Sequence, residues 1–298
     1  MVGDGTPTRA YLANRVLSNT AGDRRQDARD GADTGGANSS GVDYNSSVER
    51  LLYATQAAET AHFWFRGFRR FVRPLLAAAV RGKTGPRILD CGCGTGANLR
   101  VLGEFGRAFG VELNPVGLQF ARRSAPGSVA RASVTHLPFP DARFDVVTSF
   151  DVIYCLSAED ETIALREMHR VLRPGGAAVV NVAAMEVLRG NHSVLSEEVR
   201  RYSASQIRSA MERAGFRVAE LGYTNSILFP LMLGVRAVQR IVGLRRSARA
   251  TAEISVPPAL INLVLTALLA VEAKCLQPLH LPFGSSLLCL AWKPGSSP

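Results

Sequence analysis

The stretch Ile88-Leu89-Asp90-Cys91-Gly92-Cys93-Gly94-Thr95-Gly96 gathers residue types that can hold a ligand. An apolar run ends at an acid, glycines follow at alternate positions, and a helix-compatible segment starts near Ala97. Glycines let a backbone approach a ligand closely and adopt dihedrals that a Cβ disfavours. Enzymes that bind dinucleotides also use glycine loops, so the loop alone leaves two ligand classes open. The acid separates them. Asp90 would repel a pyrophosphate but attract a cationic amino-acid end. Glu112 closes the next apolar run, where a carboxylate can accept hydrogen bonds from both hydroxyls of a ribose.

These residues need a scaffold that lines up strand ends. From Arg87 onward short apolar runs alternate with helical segments. The expected strands are Arg87–Cys91, Ala108–Glu112, Ser128–Ser133, Asp145–Phe150, Ala177–Ala183, Phe216–Leu221 and Ser285–Trp292. The expected helices between them are Ala97–Phe105, Pro115–Ser124, Glu159–Val171 and Ser205–Ala214, the last stopped by Gly215. Such alternation indicates an α/β fold, a mostly parallel sheet with helices on both faces. Arg173-Pro174-Gly175-Gly176 reads as a turn into the fifth strand.

Over Arg87 to Gly222 the sequence resembles the class I methyltransferase family. The resemblance rests on the glycine loop, Gly110-Val111-Glu112, Leu137-Pro138-Phe139-Pro140, Phe144-Asp145-Val146-Val147 and Arg170-Val171-Leu172-Arg173-Pro174-Gly175-Gly176, all in the family's order. It implies a Rossmann-like sheet of seven strands with the last antiparallel, and S-adenosyl-L-methionine as cofactor. Carried onto this chain, Asp90, Gly92, Cys93, Gly94 and Gly96 would cradle the methionine end and Glu112 the ribose. Leu113 would flank adenine, and Phe150 would line the site at the end of the fourth strand. Where many relatives place an acid against adenine, this chain has Ser133 and Val134. Where many read Glu-His after the fourth strand, it has Tyr154-Cys155.

Methyl transfer from a sulfonium is an in-line displacement that positioning alone can accelerate, so no base is obligatory. An oxygen acceptor usually wants one. His192, in the segment after the fifth strand, and Tyr154 are the candidate catalytic residues; His136 and His169 read as structural. Trp64 lies in the aromatic run His62-Phe63-Trp64-Phe65-Arg66, whose rings cannot all share one helix face. It is expected to reach the cofactor or acceptor. Arg200-Arg201-Tyr202 reads as a solvated helix face rather than an anion-steering pair.

The expected organisation is a disordered tail over residues 1–43, an N-terminal helical lid over 44–82, and the methyltransferase core over 83–222. An apolar helical insertion (223–283) then caps the site, with the last strand and C-terminal tail at 284–298. Phe229, Leu231, Met232 and Leu233 are expected to pack within the cap. The formal charge of +10 comes with no compact basic and aromatic patch, which argues against nucleic acid. The sequence after Phe150 also lacks the Pro-Pro-aromatic signature of base methylation. The partner expected is a small-molecule acceptor, with a secondary metabolite or glycan intermediate as the class. Peripheral membrane contact with a lipid-linked acceptor is the alternative, suggested by the apolar insertion and the charge. Five cysteines without paired spacing suggest neither a disulfide framework nor a metal site, and fit a reducing cytoplasm.

Overall fold

A computed structural model describes residues 44–190, 193, 197–242, 254–276 and 281–295. The expected tail therefore lies outside the described residues. Two helices come first, α1 (Tyr44–Ala58) and α2 (Phe63–Ala79). Then follow β1 (Arg87–Cys91), α3 (Ala97–Gly103), β2 (Arg107–Glu112), α4 (Pro115–Ser124), β3 (Val129–Arg131) and β4 (Phe144–Phe150). After these come α5 (Ala158–Val171), β5 (Leu172–Ala183), α6 (Ala204–Arg213) and β6 (Arg217–Thr224). Two helices of the insertion, α7 (Phe229–Val242) and α8 (Ala259–Val271), precede β7 (Ser286–Trp292).

The seven strands form one sheet in the order β3-β2-β1-β4-β5-β7-β6. All pairings are parallel except those of β7, which runs antiparallel to both β5 and β6. The inner strands β1, β4 and β7 are buried at consecutive positions because both sheet faces are covered there. Successive residues feed opposite cores. Leu89, Val147, Val180 and Cys289 join α5 and α6 on one side. Ile88, Val146, Val179 and Leu290 join Phe71, Leu75 and Leu76 of α2, and Leu99 and Leu102 of α3, on the other.

Local chemistry explains the helix starts that matter for the site. Asn114 caps α4 by accepting from the Val116 and Gly117 amides, with Pro115 at the first helical position. This turns the chain sharply one residue after Leu113. Gly96, at φ +82°, occupies the cap position of α3, and a Cβ there would stand 2.8 Å from Ala121 Cα. Only glycine fits this close approach of loop to α4.

Three expectations change. The Arg-Pro-Gly-Gly segment is part of β5, not a turn before it; the register shift between Phe144 and Val146 absorbs the left-handed Gly175. β6 runs on to Thr224, so the insertion starts later than Tyr223. Arg200 and Arg201 are not on a solvated helix face. Arg201 Nε bonds Glu198 at 2.6 Å in a pair with almost no exposure. Arg200 Nη1 and the Tyr202 hydroxyl both donate to buried Glu161, at 2.5 and 2.6 Å.

Candidate cofactor site

The carboxyl ends of three neighbouring strands each present a carboxylate: Asp90 on β1, Glu112 on β2 and Asp151 directly after β4. Asp90 pairs in register with Gly110 on one side and Thr148 on the other. It is 1% exposed, and its Oδ1 accepts from Thr148 Oγ1 at 2.7 Å. Burial lifts its pKa to about 7, with Thr148 opposing and the charge of Glu112 adding. Among the described residues no cationic side chain pairs with Asp90 or Glu112.

The glycine loop wraps around this edge. The Gly92 and Cys93 amides both donate to Val111 O at 2.9 Å, which draws the loop over β2. Gly92, Gly94 and Gly96 all have positive φ. A Cβ on Gly92 would collide with Val152 Cγ2 at 2.5 Å, whereas one on Gly94 would meet nothing within 4 Å. Gly94 therefore borders open space. Glu112 holds the loop from below: its Oε2 accepts from Gly94 N at 2.8 Å and its Oε1 from Asn114 N at 2.7 Å. Each carboxylate oxygen keeps acceptor capacity for a further donor. Cys93 is buried, with Gly110 tight beneath its sulfur.

The remaining expected residues ring this cradle unevenly. Leu113 is 56% exposed, an apolar surface beside Glu112. Ser133 Oγ bonds Thr135 Oγ1 at 2.7 Å and accepts from Thr135 N at 3.2 Å, so its hydroxyl is already used in its own turn. Val134 packs partly buried against the core. Phe150 is buried, with Phe68 of α2 edge-on at 5.0 Å. Trp64 is half-buried, one turn before Phe68 on the same helix. Tyr154 is buried, and its carbonyl accepts from Val199 N and Arg200 N. Burial pushes its hydroxyl pKa well up, so it stays protonated. His192 lies outside the described residues. His169 stacks edge-on against Phe216 at 5.1 Å, away from the cradle.

Two further acids belong to the site that no sequence pattern singled out. Glu59, between α1 and α2, is buried and accepts from the Thr95 hydroxyl inside the glycine loop. Burial raises its pKa, opposed first by Thr95 and then by Arg69. Nothing in its sequence context distinguishes it from a solvated helix acid. Asp151 has φ +61°, an uncommon conformation for a non-glycine residue. Its Oδ1 accepts from Asn181 Nδ2 at 2.8 Å. Enclosure of the carboxyl raises its pKa above the ordinary carboxylate range. The residue as a whole remains exposed, which moderates that desolvation.

A carboxylate-lined cradle beside open space, in which no cation among the described residues pairs with Asp90 or Glu112, suits a positively charged nucleoside cofactor and disfavours a pyrophosphate. Residues 89–180 match the family model described as a methyltransferase domain. Over that segment the chain is similar to the methyltransferase-domain family. It is 29% identical over 163 residues to a protein of Mycolicibacterium smegmatis named "Probable S-adenosylmethionine-dependent methyltransferase", over 53% of this chain and 61% of that one. It is 37% identical over 126 residues to a ubiquinone/menaquinone biosynthesis C-methyltransferase of Vibrio cholerae, over 38% of this chain and 47% of that one. The chain thus spans about half the length of these two relatives. The fold resembles a Haloferax volcanii methyltransferase solved with the Trm112 methyltransferase activator. The TM-score is 0.54 and the identity 22%, over 85% of this chain and 98% of that one. Within the matched segment, Asp90, the glycine loop and Glu112 line one end of the sheet.

Proposed function

We propose that this chain moves the methyl group of S-adenosylmethionine to a small-molecule acceptor, of the secondary-metabolite or glycan-intermediate class. The observation that carries the reading is the row of Asp90, Glu112 and Asp151 along one sheet edge, with no side-chain cation among the described residues answering the first two. When bound, S-adenosylmethionine supplies an electrophilic methyl group on a positively charged sulfur. Asp90 and Glu59 supply negative charge beside the loop for the amino-acid end. Glu112 offers its free lone pairs to the ribose hydroxyls, and Leu113 offers an apolar face to adenine.

Positioning is the main contribution asked of the protein. The proposed lid is α2 with the insertion. The two are joined: Phe63 N donates to Asn262 Oδ1 at 2.8 Å, and Asn262 Nδ2 donates to Ala61 O at 2.9 Å. Leu269 of α8 sits in the space that Gly67 leaves open by lacking a side chain. Phe68, edge-on to Phe150 at the end of β4, and Trp64 one turn before it would exclude water from the cradle. For an acceptor that must lose a proton, Asp151 has the better chemistry of the two acid–base candidates after β4. Its raised pKa brings it nearer neutrality, whereas Tyr154 is held protonated and can only donate.

Label transfer from methyl-labelled S-adenosylmethionine to fractionated extracts tests the reading. Label in a small-molecule fraction supports it. Label confined to nucleic acid or protein, or none above a boiled control, overturns it.

A further inference from the structure

Leu231 and Leu233 of α7 are 61% and 36% exposed, which corrects the expectation that they pack within the cap. Asn181 is the opposite case, a polar side chain in an apolar place. β5 reads Ala177-Ala178-Val179-Val180-Asn181-Val182-Ala183, and within that run Asn181 is only 3% exposed. Asparagine is disfavoured in strands, and a buried polar group needs partners. Its neighbours in register are Phe150 on β4 and Leu288 on β7, both in the core that α2 covers. Side chains in register leave the same face of a sheet, and along a strand that face recurs every second residue. Asp90 and Thr148 are in register two residues before Phe150, so they share this face. Asn181 therefore stands on the face that carries Asp90, one strand beyond Phe150.

Its neighbour decides how the amide is turned. An ionised carboxylate only accepts, so Asn181 presents Nδ2 to Asp151, in the bond of 2.8 Å. The Asn181 carbonyl also takes the Asp151 N–H at 3.1 Å, which ties the left-handed turn after β4 to β5. Asn181 Oδ1 then points away from that bond, buried, and no donor among the described residues reaches it. A valine or leucine would fill the place without an unmet oxygen, so the fold forgoes stability here. Proteins break such rules chiefly at functional sites. Access runs through Asp151, which is exposed as a residue. Glu198 and Arg201 act on Asp151 through space, but they pair with each other at 2.6 Å. A ligand arriving here meets two groups that accept hydrogen bonds, the Asp151 carboxylate and Asn181 Oδ1.

The nucleophile follows from its hydrogens. A hydroxyl brings one and serves one of the two groups, a carbon nucleophile brings no good donor, and an amine brings enough for both. We propose that Asp151 and Asn181 seat an amine, so that the methyl acceptor is a nitrogen atom. This inference rests on the methyl-transfer reading above. The bound ammonium gives one proton to the Asp151 carboxylate and keeps an N–H on Asn181 Oδ1. The freed lone pair forms the N–C bond as the C–S bond of the cofactor breaks. A methylated ammonium and S-adenosylhomocysteine result.

Two measurements test the seat. In extract treated with methyl-labelled S-adenosylmethionine, mass spectrometry should find the label on nitrogen. Label on oxygen or carbon overturns the amine seat and leaves methyl transfer standing, whereas no labelled small molecule overturns methyl transfer itself. Binding judges the seat without turnover. With S-adenosylhomocysteine bound, the full chain should take benzylamine about tenfold more tightly than benzyl alcohol, which has the same shape and a single donor. Asn181→Leu keeps the branching of the side chain and should abolish that preference. Its melting temperature should hold or rise, and its affinity for S-adenosylhomocysteine should stay at the wild-type value. Asp151→Asn, at a left-handed position that asparagine tolerates, should lose the preference too, which covers a failure of Asn181→Leu to fold. Equal affinity of the wild-type chain for the two probes, or binding of neither, overturns the proposal. So does a folded variant that keeps the preference, which would leave Asn181 a structural residue.

Discussion

Asp90→Asn should stabilise the cofactor-free protein while removing its affinity for the cofactor. Asp90 is almost fully buried, and its pKa is lifted from 3.8 to about 7, first by burial. The folded state therefore holds a proton between about pH 4 and pH 7 that the unfolded chain releases. Stability from this group is full below 3.8 and is lost as pH rises through about 7. At about 1.36 kcal/mol per pH unit, the ionised carboxylate costs up to roughly 4 kcal/mol at pH 8. Asparagine keeps an oxygen for Thr148 Oγ1 and carries no charge. At about 2 °C per kcal/mol, the variant should melt up to about 8 °C higher at pH 8, and the gap should close towards pH 4. A cationic ligand restores the ionised form, so wild-type affinity for S-adenosylmethionine should rise about tenfold from pH 6 to pH 8. Scanning calorimetry with and without S-adenosylmethionine reads both effects. An Asp90→Asn protein that melts lower than wild type at pH 8, with its cofactor-induced shift intact, would refute the reasoning.

Glu112→Ala removes the acceptor for the Gly94 and Asn114 amides and for the proposed ribose hydroxyls; titration calorimetry should show a loss of about 1.5–3 kcal/mol in cofactor binding. Glu161→Ala strands the Arg200 guanidinium and the Tyr202 hydroxyl that share it, and chemical denaturation should show a loss of about 3 kcal/mol. Glu161 belongs to α5, on the opposite sheet face from α3 and its glycine loop, so cofactor affinity per folded molecule should hold. Trp64→Ala should raise the acceptor KM with a small change in melting temperature, since the ring is only half-buried. A variant that melts much lower yet turns over normally per folded molecule rejects the lid.

The sheet was legible because both of its faces are covered: in unbroken apolar runs such as Ile88-Leu89 and Val146-Val147, neighbouring residues feed two opposite cores at once. The glycine loop was legible because its positive-φ positions demand glycine. Single-residue burial was less so. Arg200 and Arg201 read as solvent-facing because charged residues usually are, but Glu161 arrives from α5 to pair with Arg200, and Glu198, three residues before Arg201, is buried with it. Glu59 reaches Thr95 only through the angle between α1 and α2, and Asp151 takes its left-handed backbone from the turn after β4. The insertion was readable as apolar helix, but hydrophobicity alone does not say which way a helix faces. Asn262, held by α2, decides that for α8.

The most direct test of the central claim is calorimetric titration of the full chain with S-adenosylmethionine, S-adenosylhomocysteine and NAD. The expected result is binding of the first two in roughly the micromolar range, typical of enzyme ligands, with no heat from NAD. Binding of NAD in their place, or no binding of either sulfur compound, would contradict the reading of Asp90 and Glu112 as a seat for a cationic nucleoside.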